Sequence, residues 1–176
     1  IDKFDLVLPE AMRENNIDMW IVTNREGNFD PLYTDMGEGY VGSTGYYIFT
    51  DKGGDRIERA VLGIGGYLLE EGGTYDYFGS GDELKAFVEA RNPKRIGLNI
   101  SKNFGGADGL THSAYLELAE VLGKTYEDRF VSAEKLVSDF RSRRVASEIA
   151  IYGEAGELSY KIEERAFSNE IITPGV

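Results

Sequence analysis

The amino-acid sequence predicts an α/β fold in which helices flank a mixed sheet. An amphipathic helical segment is followed by a short apolar segment at residues 19–22, and this apolar segment is typical of a buried strand. A hairpin pattern follows, and helical and strand-like segments then alternate along the chain. This alternation indicates a sheet packed between helices.

The first half of the chain contains a helix, a strand and a hairpin. Helical spacing of apolar residues predicts the first helix, and Pro9 places its start or a kink near Leu8. Residues 24–45 are predicted to form one long loop. Residues 46–49 and 56–62 then flank the turn at 51–54, which indicates a β-hairpin.

The second half shows recognisable helix starts. Ser80 and Glu83 have the spacing of a capping box before a helix that ends at Asn92. Residues 96–100 alternate apolar and small or polar residues, which predicts a half-buried strand. Thr111 is placed to cap a further helix, and Ser132 another.

The last predicted helix spans residues 146–168 and combines an apolar stripe with small residues. The stripe consists of Ile149, Tyr152, Gly156, Ser159, Ile162 and Ala166. Small residues permit close approach of another element, and nothing earlier in the chain is obviously reserved for this face. We expect this helix to pack on structure beyond the given chain.

Composition excludes several classes of function. The 176 residues include 31 acidic and 19 basic side chains, for a net charge of −12. This charge argues against nucleic acid as a partner and against a membrane-surface role, since both need basic surfaces. No apolar stretch approaches the length of a spanning helix, and both a cytoplasmic and an exported location stay open.

Catalytic and metal-binding groups are scarce as well. Cysteine is absent and His112 is the one histidine, so neither a thiol nucleophile nor a Ser/His/Asp triad can be assembled. A metal bound by this chain would have to rest on oxygen ligands. We therefore assign no catalytic residue and no metal ligand to this chain.

The most unusual segment is the aromatic, glycine-rich stretch at residues 28–45. Loops above about 12 to 15 residues are commonly functional or disordered. Aromatic rings on flexible backbone suit the rim of a ligand site or a partner surface. The candidate rim residues are Tyr33, Asp35, Tyr40 and Tyr46. The alternative is an ordered Ω-loop that packs its own tyrosines.

The ordered set of these features resembles the amino-terminal domain and linker of the creatinase/prolidase/aminopeptidase P family. The resemblance rests on the first helix with residues 17–22, on residues 32–37, and above all on the tail. The tail comprises Phe140, Arg141, Arg144, Glu148, Ile149, Ala155 and residues 172–176. Arg144 stands where the family usually has Lys, Phe140 where it has Leu, and Tyr33-Thr34-Asp35 where Tyr-Leu-Thr-Gly is common.

This resemblance implies a ribonuclease-H-like fold for residues 1–131. Residues 132–176 would then be linker helices and the start of a pita-bread catalytic domain that continues beyond Val176. In relatives that domain holds two divalent metal ions, for which Mn, Co or Zn is expected, on two Asp, one His and two Glu. A metal-bridging hydroxide there attacks the bond before proline.

The expected function is therefore that of a non-catalytic amino-terminal domain of an Xaa-Pro aminopeptidase or prolidase. Its expected partners are its own catalytic domain, further copies in a dimer or tetramer, and a peptide substrate in the full-length protein. Two alternatives stay open. One is the same domain of a creatinase-like C–N hydrolase, and the other is a non-enzymatic binding or scaffold module.

Overall fold

The computed structural model describes residues 2–173 and 175. Two compact units divide the chain, Ile1–Ser142 and Arg143–Val176. The first contains the sheet and its helices, and the second is built on one long helix. The sequence-based limit at residue 131 is a prediction about family domains, and it stays a prediction. Pro174 and Val176, which belong to the predicted closing turn, lie outside the described residues.

Two short helices precede the first strand. Helix α1 spans Asp2–Leu6 and α2 spans Leu8–Glu14, with Pro9 in the first turn of α2. N–H groups in the first turn of a helix have no intrahelical acceptor. Proline therefore fits there, because the N–H that it lacks would form no helical hydrogen bond. The break predicted near Leu8 is thereby confirmed. Strand β1, Met19–Arg25, follows and is buried along almost its whole length.

The six strands form one mixed sheet in the order β4-β3-β2-β1-β5-β6. The remaining strands are β2 (Tyr40–Thr50), β3 (Glu58–Gly65), β4 (Tyr77–Gly79), β5 (Ile96–Leu98) and β6 (Phe130–Ser132). Strand β2 is antiparallel to both its neighbours, and all other pairs are parallel. The predicted α/β fold with a mixed sheet flanked by helices is confirmed.

The predicted loop at residues 24–45 is wrong in its extent. Asn24 and Arg25 belong to β1, a short helix α3 spans Tyr33–Met36, and β2 already begins at Tyr40. Glycine and asparagine have low strand propensity, but here Gly45 pairs with Asn24 of β1. Tertiary pairing therefore overrides the local signal. The predicted hairpin is confirmed as β2 and β3.

Helices cover both faces of the sheet. Helix α4 spans Tyr67–Glu71, α5 Leu84–Arg91, α6 His112–Leu122, α7 Lys124–Glu127 and α8 Glu134–Ser142. The three predicted caps are present. Ser80 and Glu83 form the capping box in the short 3₁₀ turn before α5. Thr111 Oγ1 accepts from Ala114 N, and Ser132 Oγ accepts from Glu134 N at 3.1 Å.

Alternation along β1 divides the core between the two faces. Met19 and Ile21 pack in one apolar cluster with side chains of α5 and α6. Trp20 points to the other face, where its ring lies 5.2 Å from that of Phe49 and 5.9 Å from that of Phe140 in α8. Helices α5 and α6 therefore cover one face, and α8 covers the other.

Strand β5 is shorter and more buried than the strand predicted at residues 96–100. Residues 96–100 were expected to be a half-buried strand, but the strand ends at Leu98 and all three of its residues are buried. It lies between β1 and β6 in the parallel part of the sheet, where helices shield both faces. Ile17 and Ala133 would crowd a Cβ at Gly97, so a glycine suits the middle of this strand.

The second compact unit contains helix α9, Ala146–Ala166, which agrees closely with the predicted helix 146–168. Its start is stabilised by Glu148, whose carboxylate accepts from Val145 N at 3.0 Å. The guanidinium of Arg144 lies over the ring of Tyr152, 4.9 Å from its centroid.

Candidate functional site

Tyr33 holds the aromatic segment together. Its hydroxyl accepts a hydrogen bond from Gly39 N at 2.9 Å and donates to Gly39 O. Its ring stacks on Phe29 with the centroids 4.3 Å apart. Tyr33 thus ties α3 to the start of β2, and this local packing corresponds to the Ω-loop alternative for this residue.

Asp35 and Tyr40 are the exposed members of the predicted rim. The Asp35 carboxylate lies 3.5 Å from Arg141 Nε, in a partly exposed ion pair with α8. Tyr40 is 74% exposed at the first position of β2. An aromatic side chain left this exposed is available for contact with another molecule.

Tyr46 lies apart from the other three residues. It packs in the cluster that α5 and α6 cover, whereas the next residue, Tyr47, contacts the ring of Tyr33 at 6.4 Å. Successive side chains of a strand point to opposite faces of the sheet, so Tyr33 and Tyr46 lie on opposite faces. The structure therefore does not bring the four candidate residues together, and their role at a rim stays a prediction.

A buried polar network, which the sequence did not reveal, joins β1 to the segments after β1 and β5. Trp20 Nε1 donates to Asn99 Oδ1 at 2.8 Å, and Asn99 Nδ2 donates to Asp30 Oδ2 at 2.9 Å. Asp30 Oδ1 accepts from Leu32 N at 2.9 Å, and Asn24 Oδ1 accepts from Asp30 N at 3.0 Å.

The network fixes a carboxyl group inside the protein. Asp30 is only 3% exposed, and burial raises the pKa of its carboxyl although the hydrogen bonds from Leu32 and Asn99 oppose this shift. No room exists for a side chain at Gly109, because a Cβ there would overlap Asp30 Oδ2. This arrangement anchors the loop after β1.

A cleft of about 370 Å³ lies beyond the carboxyl ends of β5 and β6. Ser101 Oγ accepts from Asn103 N and Phe104 N and donates to Glu134 Oε2 at 2.5 Å. The hydrogen bond from Ser101 lowers the pKa of the Glu134 carboxyl. The Ser101 hydroxyl thus acts as a turn cap, because its proton is directed to an ionised acid and its oxygen is engaged by backbone N–H groups.

A second depression lies on the face of the sheet that carries Tyr46. We call it the glycine groove, and it has a volume of about 440 Å³. Its lining includes Thr44, Tyr46, Gly63, Ser80, Gly81 and Asp82. Burial, and then the charge of Glu117, raise the pKa of Tyr46, so its hydroxyl remains protonated at neutral pH.

Helix α9 carries several exposed apolar side chains. Ile151, Leu158 and Ile162 are each at least 60% exposed. With Ala155 they follow a spacing of four, three and four residues, which places them in one stripe. This stripe differs from the predicted one, which contained Ile162 but neither Ile151 nor Leu158.

Metal-binding and membrane-spanning features are not found in the described part of the chain. Across residues 2–173 and 175, His, Asp and Glu side chains nowhere group in threes in a way that could hold a metal ion. His112 is exposed in the first turn of α6. Within the same residues, no helix combines the length and apolar character needed to cross a membrane.

Comparison with known proteins leaves the family open. No protein-family model matches the chain, and no curated protein matches it at a significant level. What the fold itself defines is an α/β domain followed along the chain by one long helix.

Proposed function

We propose that this chain is the non-catalytic amino-terminal domain and linker of a proline-directed metallopeptidase of the aminopeptidase P or prolidase kind. Its role is assembly and gating. One surface is buried against other domains or subunits, and another restricts access of long chains to a cleft elsewhere. The observation that carries the proposal is the combination of a helix-flanked mixed sheet with a separate long helix of exposed apolar side chains.

The sheet supports the family assignment. A ribonuclease-H-like domain requires a mixed sheet with helices on both faces, and residues 19–132 supply one with a single antiparallel strand, β2. Fold alone does not define function, so the assignment also depends on the sequence resemblance in the tail.

Helix α9 supports the role in assembly. Large apolar side chains on a surface helix favour burial against another protein surface, since each contributes about 1.5–3 kcal/mol when fully removed from water. Ile151, Leu158 and Ile162 would each contribute in this way. The partner we propose is the catalytic domain or a second copy of the protein.

Tyr40 and Asp35 support the role in gating. Asp35 lies in α3 and Tyr40 is the first residue of β2, and Tyr40 is largely exposed. An aromatic side chain on a well-ordered strand can narrow the entrance of a neighbouring cleft without moving. Tyr46 is nine-tenths buried on the sheet and is less suited to that role.

Metal chemistry belongs to another domain in this proposal. The described residues do not supply the two Asp, one His and two Glu that the family uses, and His112 stands alone. The proposal places the two divalent ions, Mn, Co or Zn, in the catalytic domain and routes no chemical step through this chain.

The complete reading frame provides the first test. A downstream segment with the two Asp, one His and two Glu supports the proposal, and a downstream segment without them removes it. The product of that reading frame is then assayed on an Xaa-Pro dipeptide and on creatine. Cleavage of the dipeptide supports the peptidase, cleavage of creatine supports a creatinase-like hydrolase, and cleavage of neither supports a scaffold module.

A further inference from the structure

The glycine groove has the size of a site for a small molecule. Ligand pockets commonly measure about 300–1,000 Å³, and this groove measures about 440 Å³. It lies where β2 and β3 separate, since their pairing register shifts between Val41 and Tyr46. Irregular strand pairing of this kind is over-represented beside functional sites.

Glycines form the base of the groove by letting three backbone segments approach one another. Gly63 has a φ of +68°, and a Cβ there would lie 2.7 Å from Thr44 O. A Cβ at Gly81 would lie 3.2 Å from the same oxygen. Side chains at these positions would push the three segments apart, so the glycines preserve the shape of the groove.

The Tyr46 hydroxyl at the groove has no partner among the described residues. Tyr46 is 8% exposed and lines the groove, yet its hydroxyl forms no hydrogen bond with them. Thr23 pairs with Tyr46 across β1 and β2, and its buried Oγ1 has no partner either. Polar groups of largely buried side chains are normally hydrogen-bonded, so the unpaired Tyr46 hydroxyl lining this cavity points to a bound molecule.

The charges around the groove select the kind of molecule. The Asp82 carboxylate lines the groove and makes no hydrogen bond or ion pair within the described residues. Basic side chains are not among the lining residues that the structure describes, and nearby Arg25 is paired with Glu117 at 3.3 Å. An anion would be repelled here, whereas an ammonium group would gain a partner.

We propose that the glycine groove binds a small polyhydroxylated amine, whose ammonium group pairs with Asp82 and whose hydroxyl groups bond to Tyr46 and Ser80. The inference concerns this chain's own sheet and does not depend on the peptidase assignment. Ser80 Oγ accepts from Asp82 N at 3.4 Å and from the Glu83 backbone N–H in the capping box, and its own O–H proton is left to donate to a ligand.

The test is a titration of the ¹⁵N-labelled chain, followed by NMR, with glucamine and with sorbitol. Sorbitol is the matched neutral molecule, in which a hydroxyl replaces the amine. We expect saturable shifts of the Gly63 and Gly81 amide signals, with glucamine binding at least about tenfold more tightly than sorbitol, since hydrogen bonds to charged groups exceed neutral ones by about that factor.

Three variants locate the site. We expect Asp82→Asn to weaken glucamine binding about tenfold and Tyr46→Phe about threefold, with unchanged melting temperatures because neither group bonds within the chain. Glu89→Gln is the control, since Glu89 is an exposed acid on α5 outside the groove. Glucamine should bind the Glu89→Gln variant as tightly as it binds the wild type. Absent saturable shifts, equal sorbitol affinity, or an equal loss in Glu89→Gln would each overturn the proposal.

Discussion

Replacing Asn99 by leucine tests the buried polar network most sharply. Leucine has a similar volume but no polar atoms, so the change removes two hydrogen bonds without opening a large cavity. The indole N–H of Trp20 loses its acceptor at 2.8 Å, and Asp30 Oδ2 loses its donor at 2.9 Å. Both groups remain buried, with Trp20 at 0% and Asp30 at 3% exposure.

The size of the effect follows from these two orphaned groups. A buried polar group without a partner costs about 1–3 kcal/mol, so the two together lower the free energy of unfolding by about 4 kcal/mol. At about 2–4 °C per kcal/mol for a domain near this size, the melting temperature should fall by roughly 8–16 °C.

Urea denaturation followed by tryptophan fluorescence measures this loss, because Trp20 is the one tryptophan of the chain. Asn28→Leu is the matched control, since Asn28 is exposed in the turn after β1. We expect the control to stay within about 0.5 kcal/mol of the wild type. A loss below about 1 kcal/mol for Asn99→Leu would refute the claim that this network anchors the loop.

Three further predictions concern other parts of the chain. Burial raises the folded-state pKa of Asp30 above its usual 3.8. Its carboxyl therefore contributes stability at acid pH, and this stability is lost as the pH rises through the raised pKa. Melting curves between pH 4 and 8 should show this decline in the wild type and a smaller decline in Asp30→Asn. Gly109→Ala should cost about 3 kcal/mol in urea unfolding because its Cβ overlaps Asp30, while Gly54→Ala, with nothing within 4 Å, should be near neutral. Leu158→Lys should weaken self-association or domain association of the full-length protein at least about tenfold in sedimentation. Glu157→Gln changes the net charge by the same amount outside the stripe and should leave the association unchanged.

Local signals in the sequence predicted those elements whose start or end depends on neighbouring residues. The capping box at Ser80, the cap at Thr111 and the turn between β2 and β3 are of this kind. Each depends on contacts within a few residues, which the sequence displays directly. Apolar periodicity likewise indicated α6 and α9.

Features that depend on distant residues could not be predicted in this way. The first half of β2 contains Gly42 and Gly45 and has no strand pattern, yet pairing with β1 and β3 makes it a strand. Asn99 and Asp30 stand 69 positions apart, so their hydrogen bond requires the fold. A buried Trp20, whose indole N–H needs an acceptor, was the one available signal that such a network exists.

The candidate rim failed to form one cluster for a related reason. A continuous loop would have allowed Tyr33 and Tyr46 to meet, but β2 places Tyr46 on the opposite face. Once a segment becomes a strand, alternation decides which side chains share a surface.

Hydrolysis of an Xaa-Pro dipeptide with Mn²⁺ tests the central proposal most directly, measured for the product of the complete reading frame beside residues 1–176 alone. The proposal predicts release of free proline by the complete product and no release by residues 1–176. Peptide cleavage by residues 1–176 unaided, or a complete product that leaves the dipeptide intact, would contradict it.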